Sequence, residues 1–256
     1  VPAVGLLSAT LSTSARPESS GFGYVKARLG LGGRKDVEEL SVPSPFAYDE
    51  QCLLYLPSDM PPVSDPKFLP SAVDRVAELI EIVGGGAFVL TTSLSAMRRL
   101  HEGLVKKLPS SRILIQGQKP KDALVSEFRA NGHAVLVATS SFWEGVDVPG
   151  HALRLVVLEK VPFAVPTDPV FQARGQALEE KGLNSFVHLA LPSAAIALKQ
   201  GFGRLIRRTD DRGIVALLDE RVLTKGYGKR LLAALPPARR TSSLDDVRSF
   251  AERMRY

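Results

Sequence analysis

Short, unbroken apolar runs alternate with helical patterns along this chain, and that alternation limits its fold more than any other feature. The clearest runs are Ala87-Phe-Val-Leu90, Arg112-Ile-Leu-Ile115, Ala134-Val-Leu-Val-Ala138, Leu155-Val-Val-Leu158 and Ile214-Val-Ala-Leu-Leu218. Leu53-Leu-Tyr-Leu56 is a candidate for one more. A strand exposed on one face alternates apolar with polar residues, whereas a strand covered on both faces reads as a continuous apolar run. Between the runs, Ser71 to Val83 places Val73, Val76, Ala77, Ile80 and Val83 at helical spacing and stops at Gly84-Gly-Gly86. Leu94 to Leu108 is amphipathic behind a capping Ser93, and Asp122 to Ala130 ends before Asn131-Gly132. Asp168 precedes Pro169 at the first position of another helix. The first 60 or so residues are less regular, with one helix expected around Phe22 to Leu29 and a loop over Pro57 to Pro62, and a last helix is expected over Leu244 to Arg253. The pattern predicts an α/β fold: a parallel sheet sandwiched by helices, with right-handed crossovers.

Composition narrows the partners and the chemistry. The chain has 256 residues, enough for one large or two modest domains. An excess of 33 basic over 27 acidic residues suits a polyanionic partner without deciding for one. A single cysteine, Cys52, excludes an internal disulfide and any four-cysteine cluster, and points to reducing cytosol. No apolar run approaches the roughly 20 residues of a membrane span. The histidines, at 101, 133, 151 and 188, are isolated, and none sits in HExxH or beside GxSxG, so metal and nucleophilic hydrolase roles lack support. The opening Val1-Pro-Ala-Val, without an initiator methionine, reads as the inside of a longer protein.

Two segments carry chemistry. Gln200-Gly-Phe-Gly-Arg204-Leu-Ile-Arg207-Arg208 spells QxxGRxxR. On a helix, at about 100° per residue, Gln200, Arg204 and Arg207 would share one face, with Ala195, Leu198, Phe202 and Leu205 on the other. Two guanidinium forks then point outward, where they suit phosphate oxygens or ordinary surface carboxylates. Arg208 falls off that face. The second segment runs from Val135 to Gly150, an apolar run entering a polar loop with Trp143, Glu144, Gly145 and Asp147. Glu144 and Asp147 could divide acid and base roles, but no nucleophile or metal-ligand partner accompanies them. Hydroxyls and amides at strand ends are candidate backbone contacts for nucleic acid: Thr91-Thr92-Ser93, Gln116 with Gly117, and Thr139-Ser140. The plainer alternative for each is a cap on the following helix.

One piece of chemistry is missing. No GxxxxGKT and no DEAH-like run occurs anywhere in the chain. A phosphate loop follows a strand and opens a helix. Gly84-Gly-Gly86 has the reverse order and reads as a helix stop.

Together with Ser8-Ala-Thr-Leu11, the order SAT, EGxD, QxxGRxxR resembles the last three motifs of superfamily-two helicases. Ser141-Phe-Trp-Glu-Gly-Val-Asp-Val-Pro-Gly, Lys160-Val-Pro-Phe-Ala-Val-Pro-Thr-Asp-Pro169 and Ser44-Pro-Phe-Ala-Tyr48 resemble the DinG/XPD group of DNA helicases, closest to bacterial DinG. The resemblance covers nearly the whole chain. It implies the second, C-terminal RecA-like motor domain over residues 16–256, preceded over 1–15 by the last strand and SAT motif of the first motor domain. It implies that Arg204 and Arg207 approach the terminal phosphate of ATP, Arg207 as the arginine finger, with Gln200 bonding at the same interface. By the same resemblance Glu144, Gly145 and Asp147 belong to the nucleotide site and its coupling to DNA. ATP and Mg2+ would be shared with the absent first RecA-like domain, and an iron–sulfur cluster would belong only to that absent half. The implied partner is single-stranded DNA, in the cytoplasm and away from membranes, in repair or replication. Two rivals remain open at this point: a catalytically inactive nucleic-acid-binding module, and an unrelated α/β enzyme.

Overall fold

The computed structural model describes residues 4–13, 21–139, 142, 148 and 150–254. Its strands are β1 (Cys52–Tyr55), β2 (Ala87–Thr91), β3 (Ile113–Ile115), β4 (Val135–Thr139), β5 (Leu155–Leu158), β6 (Gly213–Leu217) and β7 (Arg239–Thr241). They form one sheet in the order β3-β4-β2-β5-β6-β1-β7, and every neighbouring pair is parallel. The helices are α1 (Gly23–Arg28), α2 (Tyr48–Gln51), α3 (Phe68–Val83), α4 (Leu94–Lys107), α5 (Lys121–Asn131), α6 (Pro169–Glu179), α7 (Leu191–Phe202), α8 (Arg221–Thr224), α9 (Gly228–Ala234) and α10 (Leu244–Glu252).

Helices cover both faces of the sheet, which is why the strands read as continuous apolar runs. Leu54, Phe88, Leu90, Leu136, Val156 and Val215 pack on one side with residues of α5, α7 and α9. Leu53, Val89, Val137, Leu155, Val157 and Ile214 pack on the other with α3, α4 and α10. Cys52 lies in the first of these cores, and burial pushes its thiol well above the usual range. Gly84 ends α3 in the left-handed conformation (φ 77°), with its N–H donating to the Ile80 carbonyl at 2.8 Å. A Cβ on Gly85 would lie 2.1 Å from the His133 carbonyl oxygen. The triple glycine is therefore a helix stop and a close backbone crossing, as its order in the chain predicts.

Ser93 caps α4, Asp168 caps α6 ahead of its first-turn proline, and Ser243 caps α10. The apolar runs and the strands coincide closely. Residues 4–13 add no strand to the sheet and are largely exposed.

Candidate functional site

The QxxGRxxR segment departs from its helical expectation. Helix α7 buries Leu191, Ala194, Ala195, Leu198 and Phe202 and carries Gln200, but it ends at Phe202, where the Gly203 N–H donates to the Lys199 carbonyl at 2.9 Å. Arg204 and Arg207 therefore lie not on a helix face but in the loop that runs from α7 to β6. The turn is tighter than a helix: the N–H groups of Arg204 and Leu205 donate to Gly201 and Phe202, each at 3.2 Å. Leu205 and Ile206, consecutive in this turn, are both 2% exposed and seat it on the core. Leu205 sits over the glycine that opens β6, where a Cβ would come within 2.5 Å of its Cδ1.

Polar groups finish the loop. Asp211, itself buried, accepts the backbone N–H of Arg207 and of Arg208 through one oxygen, each at 2.8 Å. These bonds replace the helical ladder that the arginines have left. Gln51, buried at the end of α2, turns its Nε2 toward the carbonyl oxygens of Arg208, Thr209 and Asp211, at 3.1, 3.1 and 2.9 Å. Arg204 and Arg207 are half-buried, while Arg208 is exposed with Asp210 at 3.8 Å. Tyr48 stacks edge-on to Phe202 with ring centres 6.0 Å apart, and Phe46 packs edge-on to Tyr48 at 5.9 Å. The Ser44-Pro-Phe-Ala-Tyr48 segment thus backs the end of α7. Lys199, one residue before Gln200, reaches the Ser12 carbonyl with its Nζ at 3.4 Å, and burial holds its pKa below the usual lysine range. The Ser8-Ala-Thr segment, turned by an Oγ-to-Oγ1 contact of 3.3 Å between Ser8 and Thr10, lies a few residues away in the chain.

The candidate nucleic-acid residues lie at the opposite edge of the sheet. Thr91 ends β2, Gln116 follows β3 and Thr139 ends β4, so all three stand at carboxy-terminal strand ends, whereas the arginine loop enters the amino-terminal end of β6. Two of the predicted hydroxyls turn inward. Thr91 is 1% exposed, and its Oγ1 donates to the carbonyls of Ser93 and Ala138 at 3.1 and 3.3 Å. Thr139, also buried, donates both its N–H and its Oγ1 to Gln116 Oε1, at 2.8 and 3.0 Å. Ser93 is the α4 cap, accepting from Ala96 N–H at 3.1 Å. Thr92 and Ser93 are the exposed members. Ser140, Trp143, Glu144, Gly145 and Asp147 lie outside the described residues.

Two buried carboxylates at this edge have no motif to announce them. Glu159, 1% exposed, accepts the N–H and Oγ1 of Thr92 through Oε2, each at 3.2 Å, and its other oxygen is 3.3 Å from Lys160 Nζ. Asp219, equally buried, accepts the Val161 N–H at 2.9 Å and grips the Arg221 guanidinium at 2.8 and 2.6 Å. The held guanidinium lies 5.4 Å above the Phe163 ring, which packs with Phe186 and Tyr227. A carboxylate closing an apolar run, as in Leu155-Val-Val-Leu-Glu159, was the one available signal. Among the described residues, no group of three or more His, Cys, Asp and Glu side chains could hold a metal ion, and no helix is long and apolar enough to cross a membrane.

Comparison with known proteins places the chain in a family. The helicase C-terminal domain family matches residues 76–238. The ATP-dependent DNA helicase YoaA of Escherichia coli is 41% identical over 221 residues, covering 86% of this chain and 34% of that protein. The ATP-dependent helicase DinG of Mycobacterium tuberculosis is 38% identical over 247 residues, covering 96% of this chain and 37% of that protein. The chain thus spans about a third of the length of these curated relatives. An XPD helicase structure superposes with a TM-score of 0.56 at 19% identity, over 75% of this chain and 36% of that one, which is a likeness of fold.

Proposed function

Because this chain belongs to the helicase C-terminal domain family of DinG/XPD type, we propose that it is the second motor half of an ATP-driven DNA helicase acting in repair or replication. In this reading it closes on a first RecA-like domain that holds ATP and Mg2+. Arg204 and Arg207 meet the terminal phosphate across the cleft, and Gln200 bonds beside them. Glu144, Gly145 and Asp147 couple that cleft to the DNA path. Single-stranded DNA follows the carboxy-terminal edge of the sheet through backbone contacts at Thr92, Ser93 and the neighbouring strand ends.

The observation that carries the reading is the built arginine loop. A guanidinium whose backbone is held by a buried partner, as that of Arg207 is by Asp211, loses little freedom when a phosphate arrives, and such preorganisation is what transition-state charge stabilisation needs. The chain has no phosphate loop of its own, so the phosphate must come from another domain. The inward-turned Thr91 and Thr139 shape the DNA-side loops rather than touch DNA, because both are buried, whereas Thr92 and Ser93 are exposed.

The test is DNA-stimulated ATP hydrolysis by the full-length protein with Arg204→Ala or Arg207→Ala. Each is expected to lower turnover at least about a hundredfold, since a missing arginine finger removes orders of magnitude in rate. Single-stranded DNA binding and melting temperature should change little. Near-normal turnover in both variants, or unfolding in either, would remove the assignment.

A further inference from the structure

We propose that Gln51 and Asp211 are positioning residues for Arg207, so that the Ser44–Gln51 segment acts as a buttress of the catalytic loop. The proposal rests on the reading of Arg204 and Arg207 given above. Gln51 is separated from its loop partners by 157 to 160 positions in the chain, yet its single amide nitrogen faces three of their carbonyls. Asp211 joins the same loop from within, taking two successive N–H groups on one oxygen. Both side chains are more than nine-tenths buried, at 6% and 7% exposure. A buried amide or carboxylate is tolerated where its polar atoms are bonded, and here those bonds go to the arginine loop backbone.

The arrangement fixes the loop from two sides. Asp211 closes the turn immediately after Arg207, and Gln51 anchors the carbonyls that follow. Leu205 over the first glycine of β6 supplies the third support. Tyr48 on Phe202 holds the end of α7 in register with α2. Removing either polar support leaves the Arg207 guanidinium chemically intact but frees the backbone that aims it. A displacement of about 1 Å at a catalytic group can cost on the order of a hundredfold in rate.

The experiment uses the full-length protein and measures kcat and KM for ATP, DNA affinity and melting temperature. Gln51→Met keeps the size of the side chain and removes its donors. Asp211→Leu keeps a side chain of similar size and removes both acceptor oxygens, and serves if Gln51→Met does not fold. Each is expected to lower kcat at least about tenfold while KM for ATP and the DNA dissociation constant stay within about twofold, the signature of lost transition-state interaction. Combined with Arg207→Ala, Gln51→Met should add little further loss, because residues acting as one unit are not additive. Folded variants with wild-type kcat, or a loss that multiplies with that of Arg207→Ala, overturn the positioning role. If Arg207→Ala itself leaves hydrolysis intact, the arginine assignment fails and the positioning role falls with it, a result distinct from failure of the buttress alone.

Discussion

Lys199 shows how one residue reports on the junction beside the arginine loop. Its ammonium is half-buried on α7, within 3.4 Å of the Ser12 carbonyl, and desolvation holds its folded pKa below the ordinary lysine value. The sign of the consequence follows from proton counts. Between the folded and the ordinary value, the unfolded chain binds more protons than the folded one, so stability rises with pH across that window. Below the window the lysine is charged in both states and the folded chain carries the whole desolvation cost. Above it the lysine is neutral in both and the effect is flat. We expect urea midpoints of the chain to climb through that window more steeply than those of Lys199→Met. Equal slopes would mean that the ammonium is solvated in the native state. Neither this lysine nor Gln51 belongs to a motif by its residue type. Their roles come from what the fold brings beside them.

At the scale of elements, helix pairing against the sheet is set by a few close approaches. Gly103 lies inside α4 and faces α3, where a Cβ would come within 2.7 Å of a Val73 methyl. Alanine is the better helix former by about 1 kcal/mol, which favours Gly103→Ala. Overpacking a tight contact costs about 1–3 kcal/mol, which opposes it. The contact is shorter than a methyl can accept, so the second effect should win and the variant should lose about 1 kcal/mol in thermal or denaturant unfolding. An unchanged or raised midpoint would mean that Val73 rotates aside at little cost. The same scale explains the edge strand β7. Arg239-Arg240-Thr241 has no apolar pattern, and it becomes a strand because β1 offers it a parallel partner.

For the whole molecule, the parallel sheet separates the arginine loop from the polar loops. The arginine loop enters the amino-terminal end of β6, and the polar loops leave the carboxy-terminal ends of β2, β3 and β4. Strands of this length hold those ends roughly 15 Å apart. Because the phosphate loop is absent from the sequence, the isolated chain is expected to show no DNA-stimulated ATP hydrolysis. Steady turnover by the purified chain, surviving removal of contaminating ATPases, would contradict a half-site. Where the isolated chain binds single-stranded DNA, affinity should fall steeply with salt and depend little on sequence. The alternation of strands and helices, the glycine stop, the helix caps and the order of the motifs were all legible in the sequence, because each is written in residue patterns local to the chain. The departure of Arg204 and Arg207 from the helix, the inward turn of Thr91 and Thr139, and the grip of Gln51 on a loop more than 150 positions away were decided only by tertiary structure. They depend on which backbone groups and which apolar side chains the folded sheet brings within bonding distance, and no local periodicity encodes that.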